Sequence, residues 1–180
     1  KKMRKAGCWN IFYGYETGVE ELAKNILTNK KNRDFEKMKR ISRWTREAGI
    51  ETRAGFLVGL PGETPELAKK TIQTAIDLDP DYAQFTVCCP YPGTKLADEI
   101  HEGKWGKFLT HDLKEYNMWK VTWLPFGYKN AEELKNMERY AFRKFYLRPS
   151  YVIRRILAIR SFEDIKRYIK GGTALIKGFL

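Results

Sequence analysis

An α/β fold of parallel βα repeats, followed by a helical C-terminal region, is what this sequence predicts. Three observations carry the expectation. One unit recurs three times: a breaker, a short β-branched or aromatic run, and a Gly- or Pro-rich exit, in KAG-CWNIFYGYETG, EAG-IETRAGFLVGLPGET and DP-DYAQFTVCCPYPGT. The Ala6-Gly7 and Ala48-Gly49 pairs stand 42 positions apart, and the third run starts about 30 residues after the second. That leaves room for a strand plus a crossover helix. The runs are nearly continuous in apolar character, as expected when helices cover both faces of a parallel sheet. Three parallel strands cannot close a barrel and leave an edge open, so the expected architecture is a partial, half TIM-like barrel.

The elements follow in order. KKMRKAG reads as the last turn of a helix with Gly7 as its stop, so the chain is expected to open halfway through a repeat. Thr17-x-x-Glu20 reads as a capping box for VEELAKNIL. A helix over about 33–47 places Phe35, Met38, Ile41 and Trp44 on one apolar face and ends at Gly49. Pro65 opens the helix after Thr64, with Leu67, Ile72, Ala75 and Ile76 turned inward. Another helix follows Pro92-Gly93-Thr94, with Leu96 and Ile100 as its core residues. Residues 105–130 are aromatic and irregular and read as a connecting layer. Helices are expected over 131–147, 149–159 and 161–170, the last capped through Ser161-x-x-Asp164 and closed by Gly171-Gly172. The division is therefore 1–104, the barrel half; 105–130, the connector; and 131–180, basic helices.

Charge and cysteine usage narrow the function classes. The net charge of +12 comes from 34 Lys and Arg against 22 Asp and Glu; it fits an anionic partner without choosing between nucleic acid, a membrane surface and a ligand. No run of 18 apolar residues exists to cross a bilayer. The opening lacks a signal-peptide pattern. Three cysteines, two of them adjacent, argue against a disulfide framework. A cytoplasmic location is expected, with membrane association left open. Residues 131–180 hold twelve Lys and Arg against five Asp and Glu. Arg143, Lys144, Arg148, Arg154, Arg155, Arg160, Lys166 and Arg167 interleave there with Tyr, Phe, Leu and Ile. Amphipathic helices with solvated faces are the plain reading. A surface for anionic lipid headgroups is the sharper one. Nucleic acid is third, because no stacking platform is visible.

In parallel α/β folds ligands lie beyond the carboxyl ends of the strands. Gly14-Tyr15-Glu16-Thr17-Gly18, Gly59-Leu60-Pro61-Gly62-Glu63 and Pro90-Tyr91-Pro92-Gly93 all occupy such ends. Glycines there let a ligand approach backbone, and a carboxylate can accept two hydrogen bonds from vicinal hydroxyls. The plain alternative is that Gly and Pro simply end strands, with Glu63 favouring a helix N-terminus. His101 and His111 make a poor metal pair and receive no role.

YGYETG, AGIETRAGFLVGLPGET and DYAQFTVCCPYPGTKL, in that order, resemble the back half of a radical S-adenosylmethionine catalytic domain. Within that superfamily the resemblance is to the cobalamin-binding-domain class, which includes anaerobic oxidative cyclases and hopanoid-modifying enzymes. FYLRPSYVIRRILAIRSFEDIKRYIKGG is similar to the end of that class, so the resemblance spans nearly the whole chain. It implies an Fe–S oxidoreductase that cleaves S-adenosylmethionine reductively at a [4Fe-4S] cluster and uses the 5′-deoxyadenosyl radical on an unactivated C–H bond. Glu16 would bond the ribose hydroxyls, after Gly14 in the same strand-end motif. Leu57 would touch the adenine, with Gly55 and Gly59 allowing close approach. Pro61 would turn the chain away, and Tyr91 would sit at the adenine end or the substrate mouth. For Glu63 helix capping is expected.

The chain departs from the family in lacking CxxxCxxC: Cys8 lies 80 residues before Cys88, and Cys88 and Cys89 alternate on a strand. The implied cofactors are S-adenosylmethionine, a [4Fe-4S] cluster with ligands outside this chain, and, left open, cobalamin in the parent protein. No catalytic residue or metal ligand is assigned within the chain, and the fragment alone is expected to be inactive. The implied partner is the N-terminal half of the same enzyme, with self-association through the exposed strand edge and peripheral membrane contact as further expectations. The alternative function is a basic, non-enzymatic module binding an anionic membrane or nucleic acid through 131–180.

Overall fold

The computed structural model of the chain describes residues 1–26, 34–117, 120–159 and 161–179. Three parallel strands, β1 (Asn10–Glu16), β2 (Glu51–Val58) and β3 (Tyr82–Val87), form a sheet in the order β1-β2-β3. A short helix, α1 (Lys2–Lys5), leads into β1 and stops at Gly7, whose φ of +94° suits the residue without a Cβ. Helices α2 (Glu20–Ile26) and α3 (Phe35–Glu47) lie between β1 and β2, and α4 (Pro65–Leu78) lies between β2 and β3. The chain continues through α5 (Lys95–His101), β4 (Gly106–Phe108), β5 (Trp123–Pro125), α6 (Ala131–Tyr146), α7 (Pro149–Leu157) and α8 (Phe162–Phe179). This is half of a parallel βα barrel with a helical C-terminal region.

Local sequence explains the sharper boundaries. The Thr64 hydroxyl accepts from the Leu67 amide, with Pro65 at the first helical position of α4. Thr94, Asp34 and Asn130 do the same for α5, α3 and α6. Thr17 does not form the expected capping box. Its hydroxyl accepts from the Val19 amide and bonds the Thr71 hydroxyl, tying the β1 exit to α4.

Helices α3, α4 and α6 pack on one face of the sheet. Tyr13 and Tyr15, Ala54, Phe56 and Val58, and Ala83, Phe85 and Val87 alternate onto that face, where Phe56 and Phe85 stack at 5.5 Å. Helix α4 brings Ala68, Ile72 and Ala75; α6 brings Leu134, Ala141, Phe142 and Phe145. Each large apolar side chain buried there contributes roughly 1.5–3 kcal/mol. Helix α6 thus shares the core of the strands. The opposite face presents Phe12, Gly14, Gly55, Leu57, Gln84 and Thr86; Leu57 packs against a second apolar cluster that includes Leu22 of α2 and Ile100 of α5, so the expected helix cover on this side is partial among the described residues.

Other expectations give way to tertiary context. Helix α3 buries Ser42 and Thr45, while Trp44 is exposed; the Tyr15 and Tyr13 hydroxyls reach those two side chains at 3.0 and 2.7 Å. Helix α8 runs through Gly171-Gly172. Within the connector β4 and β5 pair antiparallel, with Trp123 fully buried. Arg160, Met118 and Trp119 lie outside the described residues, as do the side chains of Asp164, Arg167 and Lys170.

Candidate functional site at the carboxyl ends of the strands

Register builds the open face. Gly14 pairs with Gly55, and Phe12 with Arg53; Gly55 pairs with Gln84, and Leu57 with Thr86. Two adjacent glycines thus make a side-chain-free floor across β1 and β2. It is partly roofed, since a Cβ on Gly55 would stand 2.7 Å from the Phe12 ring. Next along β1 the register slips: Gly14 faces Gly55 and Glu16 faces Phe56, leaving Tyr15 as an extra residue. Such a bulge re-aims the side chain beside it. Glu16 takes φ of +58°, a left-handed conformation costing roughly 1–2 kcal/mol for a residue with a Cβ. Its carboxylate folds back over the glycine floor, with Oε1 2.6 Å from where a Gly14 Cβ would be. The Gly18 amide donates to the Thr71 hydroxyl at 3.1 Å, pinning the loop beyond it.

The structure brings Gly14, Glu16, Gly55 and Leu57 together on this open face. Gly59 and Pro61 lie just outside it and are buried. Gly59 has φ of +76°, and a Cβ there would meet the Leu134 side chain of α6 at 2.9 Å. The Pro61 carbonyl accepts from the Asn25 side chain at 2.9 Å. Tyr91 is half exposed, its ring 6.3 Å from that of Tyr116.

Glu63 is not a helix cap. It is fully buried; Oε1 accepts from the Gly59 amide at 2.5 Å and from the Tyr128 hydroxyl at 2.7 Å. Burial pushes its carboxyl up to about 7 against the hydrogen bonds that favour the charged form. Burial, and then the neighbouring Glu63, raise the Tyr128 phenol. The Glu63 carbonyl leaves no room for a side chain at Gly127, whose Cβ would lie 1.9 Å away. Glu63 therefore locks the β2 exit loop to the connector. The sequence hid this, because Tyr128 lies 65 residues further on in an irregular stretch.

The cysteines do not fit an iron–sulfur cluster. Cys88 and Cys89 lie just past β3 instead of alternating along it. The Cys88 amide donates to Val58, its carbonyl accepts from the Trp123 indole at 2.8 Å, and burial pushes its thiol up to about 12. A thiol so held is not the thiolate a metal needs. Cys89 contacts the Thr122 hydroxyl, and Cys8 stands before β1, at the opposite end of the sheet. His101 and His111 stack at 5.9 Å beside Phe108. No group of three His, Cys, Asp or Glu side chains that could hold a metal ion occurs among the described residues.

No protein-family model matches the chain. It is 30% identical over 174 residues to an uncharacterized methyltransferase of Pyrococcus horikoshii, covering 95% of this chain and 36% of that protein. It is 32% identical over 148 residues to the anaerobic magnesium-protoporphyrin IX monomethyl ester cyclase of Cereibacter sphaeroides, covering 82% of this chain and 23% of that protein. Among solved structures, the radical S-adenosylmethionine methyltransferase TsrM of Kitasatospora setae, with cobalamin and a [4Fe-4S] cluster bound, matches with a TM-score of 0.51 and 30% identity over 56% of this chain and 20% of that one. The chain spans between 23% and 36% of the length of these two curated relatives.

Proposed function

Because the chain belongs to the radical S-adenosylmethionine superfamily, we propose that it supplies the ribose and adenine side of an S-adenosylmethionine pocket and works as part of a larger enzyme. The observation that carries the proposal is the glycine floor of β1 and β2, over which the exposed Phe12 ring and the Glu16 carboxylate lie. A flat heterocycle needs an apolar surface without projecting side chains. Gly14 and Gly55 provide the gap and Leu57 an apolar wall. A carboxylate at the strand end can accept a hydrogen bond from each of the two ribose hydroxyls, a charge-assisted pair. The bulge at Tyr15 supports this role, since it turns the Glu16 carboxylate toward the floor at the expense of a strained backbone. Tyr91, half exposed beyond β3, is the residue we assign to the adenine end or the substrate mouth. Gly59 and Pro61 shape it from behind, through the loop that Glu63 holds.

S-adenosylmethionine, when bound, supplies the nucleoside and the reactive sulfonium; this chain positions the nucleoside. The cluster to which its methionine end would bind takes its cysteines from outside this chain, and any cobalamin belongs to the parent protein. Alone, the chain is inactive and binds the cofactor weakly. Three of the C-terminal arginines, Arg148, Arg154 and Arg155, are engaged with Asp79 and Asp81 within the chain.

The test separates nucleoside recognition from the cluster. Titration of the chain with 5′-deoxyadenosine, which lacks the methionine end, should shift the amide resonances of Gly14, Glu16, Gly55 and Leu57 in NMR spectra. Glu16→Ala should weaken binding by about 1–3 kcal/mol, the usual loss for a charge-assisted acceptor. Shifts confined to other strands, or an unchanged affinity in a folded Glu16→Ala variant, would remove the proposal.

A further inference from the structure

Helix α7 is turned inside out. At about 100° per residue, positions 148, 151, 154 and 155 share one side of a helix, and 152, 153, 156 and 157 share the other. The charged side faces inward. Arg148 donates to Asp79 at 2.8 Å and to the Ile76 carbonyl at 3.1 Å. Arg154 pairs with Asp79, and Arg155 with Asp81 and its carbonyl. The buried Tyr151 donates to the Asp81 carbonyl at 3.0 Å between them. The apolar side faces outward: Val152, Ile153, Ile156 and Leu157 are exposed, Leu157 at 78%. Helix α8 adds a second exposed stripe at Phe162, Ile165 and Ile169. Isolated apolar residues on a surface need no explanation, but a helix that turns its arginines inward and presents its isoleucines does.

We infer that the outer face of α7, with the stripe of α8, seats in the interface of an anionic bilayer. Charge decides the occupant. A groove between the end of α6 and the start of α7 is lined by Arg143, Lys144 and Arg148 with Leu147 and Pro149, and no carboxylate lines it. Arg143 and Lys144 are exposed, and α7 itself contains no acidic residue. A second copy docked on this face would bring the same cationic rim against itself. Lipid phosphates would meet it with the opposite sign, while the isoleucines reach the acyl boundary. No helix among the described residues is long and apolar enough to cross a membrane, so the helices lie on the bilayer and do not span it. This surface is independent of the glycine floor.

Flotation of the chain with phosphatidylcholine vesicles, with and without phosphatidylglycerol, tests the inference. The chain should float with anionic vesicles at low salt, less at high salt, and weakly with neutral ones. Arg143→Glu with Lys144→Glu should lower partitioning by at least about fivefold. Ile153→Glu with Ile156→Glu should abolish it while circular dichroism and the thermal midpoint stay unchanged, because both side chains point outward. The inference fails if the folded chain does not float with anionic vesicles at low salt, or if the isoleucine variant floats undiminished. It also fails if sedimentation equilibrium shows a dimer that the isoleucine variant dissolves, which would give the face to a second copy.

Discussion

Glu63 carries a consequence for pH. In the folded chain its carboxyl titrates at about 7, against 4.5 for an unperturbed group. Between those values the folded protein holds a proton that the unfolded chain has released. Stability is therefore fully present below about 4.5 and falls as pH rises toward about 7, by roughly 3 kcal/mol in all. Urea denaturation across that window should show the loss, and Glu63→Gln should flatten the curve; an equal slope in the variant would assign the titration elsewhere. Gly55 makes the opposite kind of prediction. Its Cβ would displace only the exposed ring of Phe12, so Gly55→Ala should change stability by no more than about 0.5 kcal/mol. By filling the floor it should still weaken 5′-deoxyadenosine binding, by about 1–3 kcal/mol. Much of the face was legible in the sequence, because glycines at strand ends and a following acid are local signals. The role of Glu63 was not, since it depends on a tyrosine that only the folded connector brings near.

At the scale of elements, the well-read helices are those whose signals are local. Thr64-Pro65 and Asn130 announce α4 and α6 through caps that need no tertiary partner. Helix α3 misleads in part: Met38 packs inward as periodicity expects, but its most buried residues, Ser42 and Thr45, are hydroxyls that meet Tyr15 and Tyr13, and periodicity counts only apolar side chains. Helix α7 misleads more deeply: its inner side is specified by Asp79 and Asp81, about 70 residues earlier. Asp79 anchors Arg148 and Arg154 while it closes α4 in a left-handed conformation, φ +47°. Asp79→Ala should release α7, at a cost of about 1–3 kcal/mol once the partial exposure of the pair is allowed for. Hydrogen exchange should then quicken at the amides of α7 and not at those of α4. Uniform acceleration of both would mean that Asp79 serves the backbone turn and not the arginines.

At the scale of the molecule, β1 is a sheet edge with Trp9 and Phe12 exposed beside it, and such an edge templates pairing with another strand. Sedimentation equilibrium should show association rising with concentration, and Phe12→Lys should reduce it while Ile153→Glu leaves it unchanged. The other edge is finished within the chain: the Tyr146 hydroxyl accepts from the Ala83 amide at 3.1 Å and donates to its carbonyl at 2.7 Å. That closure has a consequence for the order of synthesis. A ribosome delivers all three strands and α4 well before α6, yet α6 supplies Phe142, Phe145 and the hydroxyl that completes β3. During that interval the nascent chain carries a half-roofed aromatic sheet with both margins unpaired, the state in which chains aggregate or recruit chaperones. A C-terminal truncation before residue 131 would make that interval permanent, so solubility should be lost there abruptly, between chains ending before α6 and chains ending after it.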